Sequence, residues 1–374
     1  MRPRICHITS NLNYSLFIEA VAKFLDPEKY DVNFVFLNPE RSALADKVEA
    51  AGATTTLVPY RAKRDLPAAI TRLTKLLRHD RPDIVHTHLL DASVAGLTAA
   101  VLAGVKRRVH TRHHGAEAHM YYPHGVYYDK YISRLSKRIM ATTSSVYKIL
   151  VDLEHVDPNK IDIINYGYDL ATFSPQSDSS ADMLRKYGLE GCWPIVGVIS
   201  RFVEGKGIQY VIPAFARLLK DHPNAKLVLA NAVGDYSDEI ESLLKAHLDS
   251  ERYSLISFEP DIFSLYSVFD VFVHVPIGPD FEAFGQTYIE ALYMGIPSVF
   301  TLSGIAHDFI EDGKNALVVP YCDSEAIYNA LHRLLTDASL TAELACHGRR
   351  DVIDRFEGLR LGRDLDEFYT EVLS

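Results

Sequence analysis

Residues 270–301 read DVFVHVPIGPDFEAFGQTYIEALYMGIPSVFT. An apolar run at 270–275 gives way to a Gly- and Pro-containing turn, then a helical pattern at 286–294, then a second apolar run at 297–301. Strand, turn, helix and strand in that order make one β-α-β unit. Two acidic residues bracket the turn. Glu282 lies in the loop before the helix, and Glu290 lies one or two turns into it. On one continuous helix the two would sit about 80° apart, at roughly 100° per residue, so they do not stack as a face. An isolated acidic pair is ordinarily a solvated surface feature. The turn between them changes the reading, because free backbone N–H groups at a helix start can donate to an anion. A carboxylate on each side can hold hydroxyl groups. A molecule with phosphate in its middle and hydroxyls at both ends fits that pattern, and a nucleotide-sugar is such a molecule.

The same rhythm runs through the whole chain. Strand-like runs occur at 4–8, 32–37, 54–58, 83–87, 107–111, 139–142 and 161–164, and again at 195–199, 226–230, 254–258, 270–275, 297–301 and 316–319. Helical patterns lie between them. At 66–79 the apolar residues Leu66, Ile70, Leu73, Leu76 and Leu77 recur at helical spacing. Others fall at 208–220, 237–248, 286–294 and 323–336. Alternation of this kind predicts parallel sheets covered by helices on both faces. Two series predict an α/β chain of two doubly wound, Rossmann-like domains, at 1–172 and 181–356. The polar, Pro-containing segment 169–180 is the expected linker. The tail 357–374 reads as a helix that rejoins the first domain.

The chain has 374 residues, enough for two domains of ordinary size, and 48% of them are hydrophobic. No apolar run is long enough to span a membrane, and the N-terminus enters a strand-like run directly, without a secretion-signal pattern. Cys6, Cys192, Cys322 and Cys346 share no metal-ligand spacing and read as reduced thiols of a cytoplasmic protein. The net charge of −10 is unevenly spread. Residues 1–175 carry 23 Lys and Arg against 18 Asp and Glu, whereas 176–374 carry 16 against 31. A basic first half suits a phosphorylated substrate or peripheral contact with an anionic membrane. Nucleic acid is not an expected partner of so acidic a chain without a recognisable binding module. Nothing in the sequence fixes an oligomeric state.

Ligands of open parallel sheets bind at the carboxyl ends of the strands, so the turns after strands carry the remaining candidates. After 195–199 come Ser200, Arg201 and then Lys206 and Gly207. An Arg fork and a Lys point charge can converge there on a diphosphate and stabilise charge growing on a departing group. After 107–111 come His113 and His114, with His86, His88, His119 and His124 elsewhere in the same half. So many histidines invite a metal reading. His86 and His88 share a strand, on which one is expected to face the core, and no carboxylate is evidently paired with the set. The expectation is therefore no metal, and one histidine contacting substrate hydroxyls and phosphate. Asp364 and Asp366 sit in the terminal helical pattern and read as a solvated face. Tyr121, Tyr122, Tyr127, Tyr128 and Tyr131, mixed with Lys130, Arg134, Lys137 and Arg138, suit a membrane interface or a sugar-stacking surface.

Taken together, these segments resemble the retaining GT-B glycosyltransferases of family 4. The resemblance rests on Asp83-Ile-Val-His86-Thr-His88, Thr111-Arg-His113-His114-Gly115, Asn165-Tyr-Gly167-Tyr-Asp169, the Ser200-Arg201 to Lys206-Gly207 loop, Asp270-Val-Phe-Val, and Glu282 through Pro297. It covers nearly the whole chain. It implies a GT-B fold, two Rossmann-like domains facing each other across a cleft. It implies that Glu282 holds donor-sugar hydroxyls and Glu290 the ribose. Backbone amides around Phe284, Gly285, Gln286 and Thr287 would hold the diphosphate, which Arg201 and Lys206 neutralise. His113 is the best match to the family's cleft histidine, with His114 second. The family transfers a sugar with retention, without a cofactor or bound metal, and the leaving phosphate helps to remove the acceptor's proton.

The implied substrates are a nucleotide-sugar donor, UDP-linked first and GDP-mannose second, and a glycan or lipid-linked acceptor at the inner membrane face. The turn Thr9-Ser-Asn11-Leu-Asn13-Tyr14-Ser15 departs from the family's Gly-rich form, as does Ala230-Asn-Ala-Val-Gly234. Three rivals are an epimerase or hydrolase of the same fold, an inactive partner of another transferase, and a dinucleotide-dependent oxidoreductase. The last would need a Gly-x-Gly-x-x-Gly turn, and neither half has one after its first strand.

Overall fold

The computed structural model describes residues 2–116, 119–120, 122–175 and 179–374, with only the backbone of Ser179. Tyr121 and residues 176–178 of the expected linker lie outside them. The chain divides into two compact units, Met1–Asp169 with Phe356–Ser374, and Leu170–Arg355.

The first unit holds β1 (Arg4–Ser10), β2 (Asp31–Asn38), β3 (Thr54–Pro59), β4 (Ile84–His88), β5 (Arg107–Arg112), β6 (Arg138–Ala141) and β7 (Ile161–Ile163). All pairings are parallel, in the order β3-β2-β1-β4-β5-β6-β7. Apolar side chains on both faces explain why these runs become strands of a covered sheet. Ile5, Phe34, Ile84, Val109 and Met140 face one core, and Cys6, Ile8, Val35, Leu37 and Val85 face the other.

The second unit holds β8 (Ile195–Ile199), β9 (Lys226–Ala230), β10 (Tyr253–Ile256), β11 (Val271–His274), β12 (Ser298–Phe300) and β13 (Leu317–Val318). Its order is β10-β9-β8-β11-β12-β13, again parallel. In each sheet the strand order reverses once, between β1 and β4 and between β8 and β11, which is the doubly wound pattern. These are the Rossmann-like sheets that the alternation predicts.

The two turns without a Gly-rich sequence solve the same backbone problem in the same way. Asn11 after β1 has φ +50°, and Asn231 after β9 has φ +58°. Asn tolerates this left-handed region better than other side chains do. Asn11 N–H donates to Leu37 O at 3.0 Å, and Ser15 caps the helix Leu16–Phe24 by accepting from Ile18 N–H.

The C-terminal helix Gly358–Leu373 buries Leu361, Leu365, Phe368 and Tyr369 in the core of the first unit. Its polar atoms are tied down as well. Arg360 donates to Asn165 O at 2.9 Å and Tyr166 O at 2.5 Å, and Arg107 donates to Val372 O at 3.0 Å. Asp366 is not simply solvated: it pairs with Lys29 at 2.5 Å and accepts from Tyr30 at 2.8 Å. The helix lies against Leu16–Phe24 so closely that a Cβ on Gly362 would fall 2.4 Å from Phe24 O. Gly362→Val is therefore expected to lower stability by about 1–3 kcal/mol through overpacking against backbone. The check is the urea midpoint of the unfolding step that includes the first unit. An unchanged midpoint would mean that the helix is not seated this closely.

Candidate functional site

The carboxyl ends of β8 and β11 lie side by side at the switch point of the second sheet. Beyond β8 the chain makes a one-turn 3-10 helix at Glu204–Lys206. This loop lies against the segment after β11, where Ile277 N–H donates to Gly205 O at 3.1 Å. Gly207 has φ +74°, and a Cβ there would sit 1.9 Å from Val275 O, so only glycine permits the approach.

That approach brings Lys206 Nζ to 2.5 Å from Glu282 Oε1. His274, the last residue of β11, places Nε2 at 2.8 Å from the same oxygen. Ser303 Oγ accepts from the Glu282 N–H at 3.0 Å. One carboxylate oxygen is thus held twice, while Oε2 of Glu282 has no hydrogen bond among the described residues. Burial works against ionisation of Glu282, but the Lys206 charge and the His274 hydrogen bond outweigh it and hold its carboxyl at about 2. His274 is buried and lowered from the usual histidine value, with its bond to Glu282 opposing that shift. A neutral His274 therefore donates Nε2–H to an ionised Glu282.

Four residues on, the helix Gln286–Tyr293 begins. Its first intrahelical donor is Tyr288 N–H, to Gly285 O at 3.2 Å. The amides of Gly285, Gln286 and Thr287 come before it, where helix starts leave N–H groups for other acceptors. Phe284 is buried, and its carbonyl accepts from Ile305 N–H at 2.8 Å. Glu290 is also buried. It accepts from Tyr266 Oη at 2.9 Å and Gln286 Nε2 at 2.6 Å. Burial raises its carboxyl, and these two bonds oppose the rise. Arg201 is exposed, and its guanidinium makes no ion pair among the described residues.

The first unit gathers four of its histidines into its core. His7, His86, His88 and His110 are at most 2% exposed. The expectation that only one of His86 and His88 faces the core is corrected, because residues two apart on a strand share a face. Their rings lie 4.5 Å apart. His113 and His114 follow β5. Both nitrogens of His113 are engaged within the unit, Nε2 with His88 Nδ1 at 3.1 Å and Nδ1 with the Tyr166 hydroxyl. His114 Nε2 lies 3.0 Å from Asp129 Oδ1. The expectation that no carboxylate pairs with the histidines is also corrected. Buried Arg112 binds Asp129 at 3.0 Å and Glu154 at 2.7 Å, and His119 approaches Glu154 at 3.4 Å. Long-range pairs of this kind leave no spacing signal in the sequence.

Sequence reasoning also passed over His274. The available signal was a polar residue ending an otherwise apolar strand at the carboxyl edge. Ser303, Tyr166 and Tyr369 carried no comparable signal.

Two protein-family models match the chain: "Glycosyltransferase Family 4" over residues 15–172 and "Glycosyl transferases group 1" over 181–351. The GDP-mannose-dependent alpha-(1-6)-phosphatidylinositol monomannoside mannosyltransferase of Mycolicibacterium smegmatis is 29% identical over 243 residues, 63% of this chain and 61% of that protein. The chain thus spans about three fifths of that relative's length. The UDP-Gal:alpha-D-GlcNAc-diphosphoundecaprenol alpha-1,3-galactosyltransferase of Escherichia coli is 23% identical over 367 residues, 94% of this chain and 92% of that protein. The crystal structure of Anabaena HepE in complex with UDP-glucose superposes with a TM-score of 0.83 at 17% identity, covering 98% of this chain and 99% of that one, which is a likeness of fold.

The buried imidazoles make stability depend on pH. Burial pushes His7 and His113 down to about 3, and His86, His88, His110 and His274 are lowered too. An unfolded chain accepts these protons near pH 6.5, and the folded protein refuses them. Stability is therefore expected to fall once pH drops below about 6.5, by up to about 1.4 kcal/mol per pH unit for each histidine. Glu282 acts in the same direction at lower pH. Its contribution is full above about 4.5, its ordinary value, and is lost as pH falls towards about 2. Melting temperatures measured from pH 8 to pH 4.5 should hold steady and then drop steeply. A flat profile between pH 7 and 5 would contradict the neutral histidine core.

Proposed function

We propose that this chain, which belongs to the GT-B glycosyltransferases of family 4, transfers a hexose or N-acetylhexosamine from a nucleoside diphosphate to a glycan or lipid-linked acceptor with retention of configuration. The observation that carries the proposal is the pair of charges at the second switch point. Glu282 is fixed through one oxygen by Lys206 and His274, and its other oxygen, beside a helix start, has no hydrogen bond among the described residues.

In this reading Oε2 of Glu282 accepts from donor-sugar hydroxyls. The amides of Gly285, Gln286 and Thr287 donate to the diphosphate. Lys206 and the exposed Arg201 meet its charge. Because Lys206 rests on Glu282, donor phosphate has to share that ammonium, which couples diphosphate binding to the orientation of the sugar-holding carboxylate. Glu290 takes the ribose hydroxyls by exchanging its Gln286 contact for them. The acceptor oxygen bonds to the anomeric carbon on the face from which the phosphate oxygen departs. The acceptor's proton passes to that phosphate oxygen, so neither a protein nucleophile nor a metal is required. His113 of the first unit contacts a substrate hydroxyl.

A UDP-sugar is the first choice of donor and a GDP-mannose the second, in line with the UDP-Gal and GDP-mannose that name the two relatives. Peripheral membrane contact is part of the proposal. Its support is the helix Gly125–Leu135, where Tyr127, Tyr128 and Tyr131 stand exposed among Lys130 and Arg134, with exposed Tyr122 just before it. No described helix is long and apolar enough to cross a membrane.

A thermal-shift series with UDP- and GDP-sugars is expected to raise the melting temperature with one donor class. With that donor, sugar transfer should need an acceptor, and release of free sugar or an epimer without one would favour a hydrolase or epimerase instead. Glu282→Gln should lower turnover by about a hundredfold or more, the scale for losing one placed electrostatic contact; undiminished turnover would remove Glu282 from the site. Sedimentation with anionic liposomes at low salt should carry the protein down, and Tyr127→Ala with Arg134→Ala should release it. A protein that stays in the supernatant at low salt would end the membrane proposal.

A further inference from the structure

The core of the first unit contains a continuous run of hydrogen bonds that the proposed reaction does not use. It starts at Tyr166, whose hydroxyl meets His113 Nδ1. His113 Nε2 meets His88 Nδ1 at 3.1 Å, and His88 Nε2 meets His7 Nδ1 at 2.9 Å. His7 Nε2 meets the Tyr369 hydroxyl at 3.3 Å, which meets His86 Nδ1 at 2.6 Å. His86 Nε2 ends on Thr111 Oγ1 at 2.6 Å. The seven groups come from β1, β4, β5, the loop after β5, the segment after β7 and the C-terminal helix.

Hydrogen counting constrains this run. With neutral imidazoles each of the seven groups has one hydrogen to give, and there are six links. Turning one ring's tautomer alone opens a link on one side and sets two hydrogens against each other on the other. The links therefore share one sense, with every ring protonated on Nε2 or every ring on Nδ1. The two senses differ in where the end hydroxyls, Tyr166 and Thr111, send their hydrogens. With Nε2–H throughout, His86 donates to Thr111, and the Thr111 hydroxyl hydrogen points to Met140 Sδ at 3.8 Å, a weak acceptor already in place.

We propose that these groups act as one polarised chain that holds all four imidazoles in the Nε2–H tautomer, which makes His7, His88 and Tyr369 positioning residues for His113. Its bearing on the reaction rests on the reading that His113 contacts substrate. Under that reading the chain leaves His113 Nδ1 as an acceptor. Whatever replaces Tyr166 there must donate a hydrogen, as a hydroxyl does and a phosphate oxygen cannot.

Protonation does not compete near neutral pH. Desolvation holds all four rings below their ordinary value, and the ionisable groups that act on them, His110, His114 and each other, are also imidazoles. Tyr30 faces Tyr369, and the rings of Phe17 and Phe34 cover His113 and His7. A bound metal is the competing use of His7, His86 and His88, whose ligand atoms lie within 4.8 Å of one another. Geometry disfavours it. The His7 and His88 rings are 5.2 Å apart with 8° between their planes, and their facing nitrogens are 2.9 Å apart. Those lone pairs point at each other along a line, where an ion bonded to both at about 2.0–2.1 Å would need about 4 Å.

The test is a long-range proton–nitrogen correlation spectrum of histidine rings in the full-length protein at pH 7, with assignments from single His→Gln variants. The four rings are expected to show Nε2–H patterns. Averaged tautomers, an Nδ1–H pattern, or rings ligating zinc carried through purification would each overturn the proposal. Tyr369→Phe cuts the chain between His7 and His86. It is expected to bring tautomer averaging to His7, His88 and His113 and to lower kcat several-fold, with KM for the donor within twofold. Fixed tautomers in this variant would also overturn the proposal. His113→Gln separates the two readings. If it retains full turnover while Tyr369→Phe still averages the tautomers, the chain stands and the substrate role of His113 falls.

Discussion

A parallel strand can satisfy its backbone only through its neighbours on either side, so a parallel sheet is stable when helices cover both faces and water is kept from its middle. Both sheets of this protein obey that constraint, and it decides where chemistry can reside. Side chains within the central strands are enclosed, and the loops at the strands' carboxyl ends are the places where polar groups can meet a ligand. Lys206, Glu282 and His274 meet at such a place. The doubly wound order puts β8 beside β11, although two strands intervene in the sequence. Without that crossover the lysine and the glutamate would belong to unrelated loops.

The first sheet tests the limits of the same constraint. It carries His7, His86, His88 and His110 in positions where apolar residues are usual. A buried polar atom without a partner costs about 1–3 kcal/mol, and these imidazoles escape most of that cost by bonding to one another and to Tyr369, Thr111 and Ser93. The arrangement works only while the rings are neutral. The buried Arg112 is handled differently, by two carboxylates close enough to compensate its charge. The C-terminal helix takes part in the first of these solutions. It fills the core with Leu361, Leu365 and Phe368 and also supplies the hydroxyl that joins two of the histidines.

Much of this was readable along the chain. Apolar runs alternating with helical spacing located the thirteen strands among the described residues to within a few residues, because each strand's burial is written in its own side chains. Glu282 before the helix and Glu290 on it were legible for the same local reason. Partners were not. The second contact of Glu282 is His274, and the partners of the histidines are Tyr166, Tyr369, Asp129 and Glu154. His86 and His88 lie two apart on β4, so strand periodicity places both on the same buried face. The two Asn turns take up left-handed backbone at Asn11 and Asn231, where glycine would be the ordinary choice.

The strands and helices, the order in which they come, and which turns hold charged groups are all written in the sequence. These follow from side-chain patterns a few residues long, where hydrophobic burial and backbone preference act locally. Which groups meet was settled by tertiary packing. It joined one oxygen of Glu282 to both a lysine and a histidine, left the other without a bond among the described residues, and ran one chain of hydrogen bonds through four imidazoles. The reason is that a hydrogen bond depends on distance and direction to within a few tenths of an ångström. Those are set by how strands cross and helices pack, and no run of neighbouring residues encodes them.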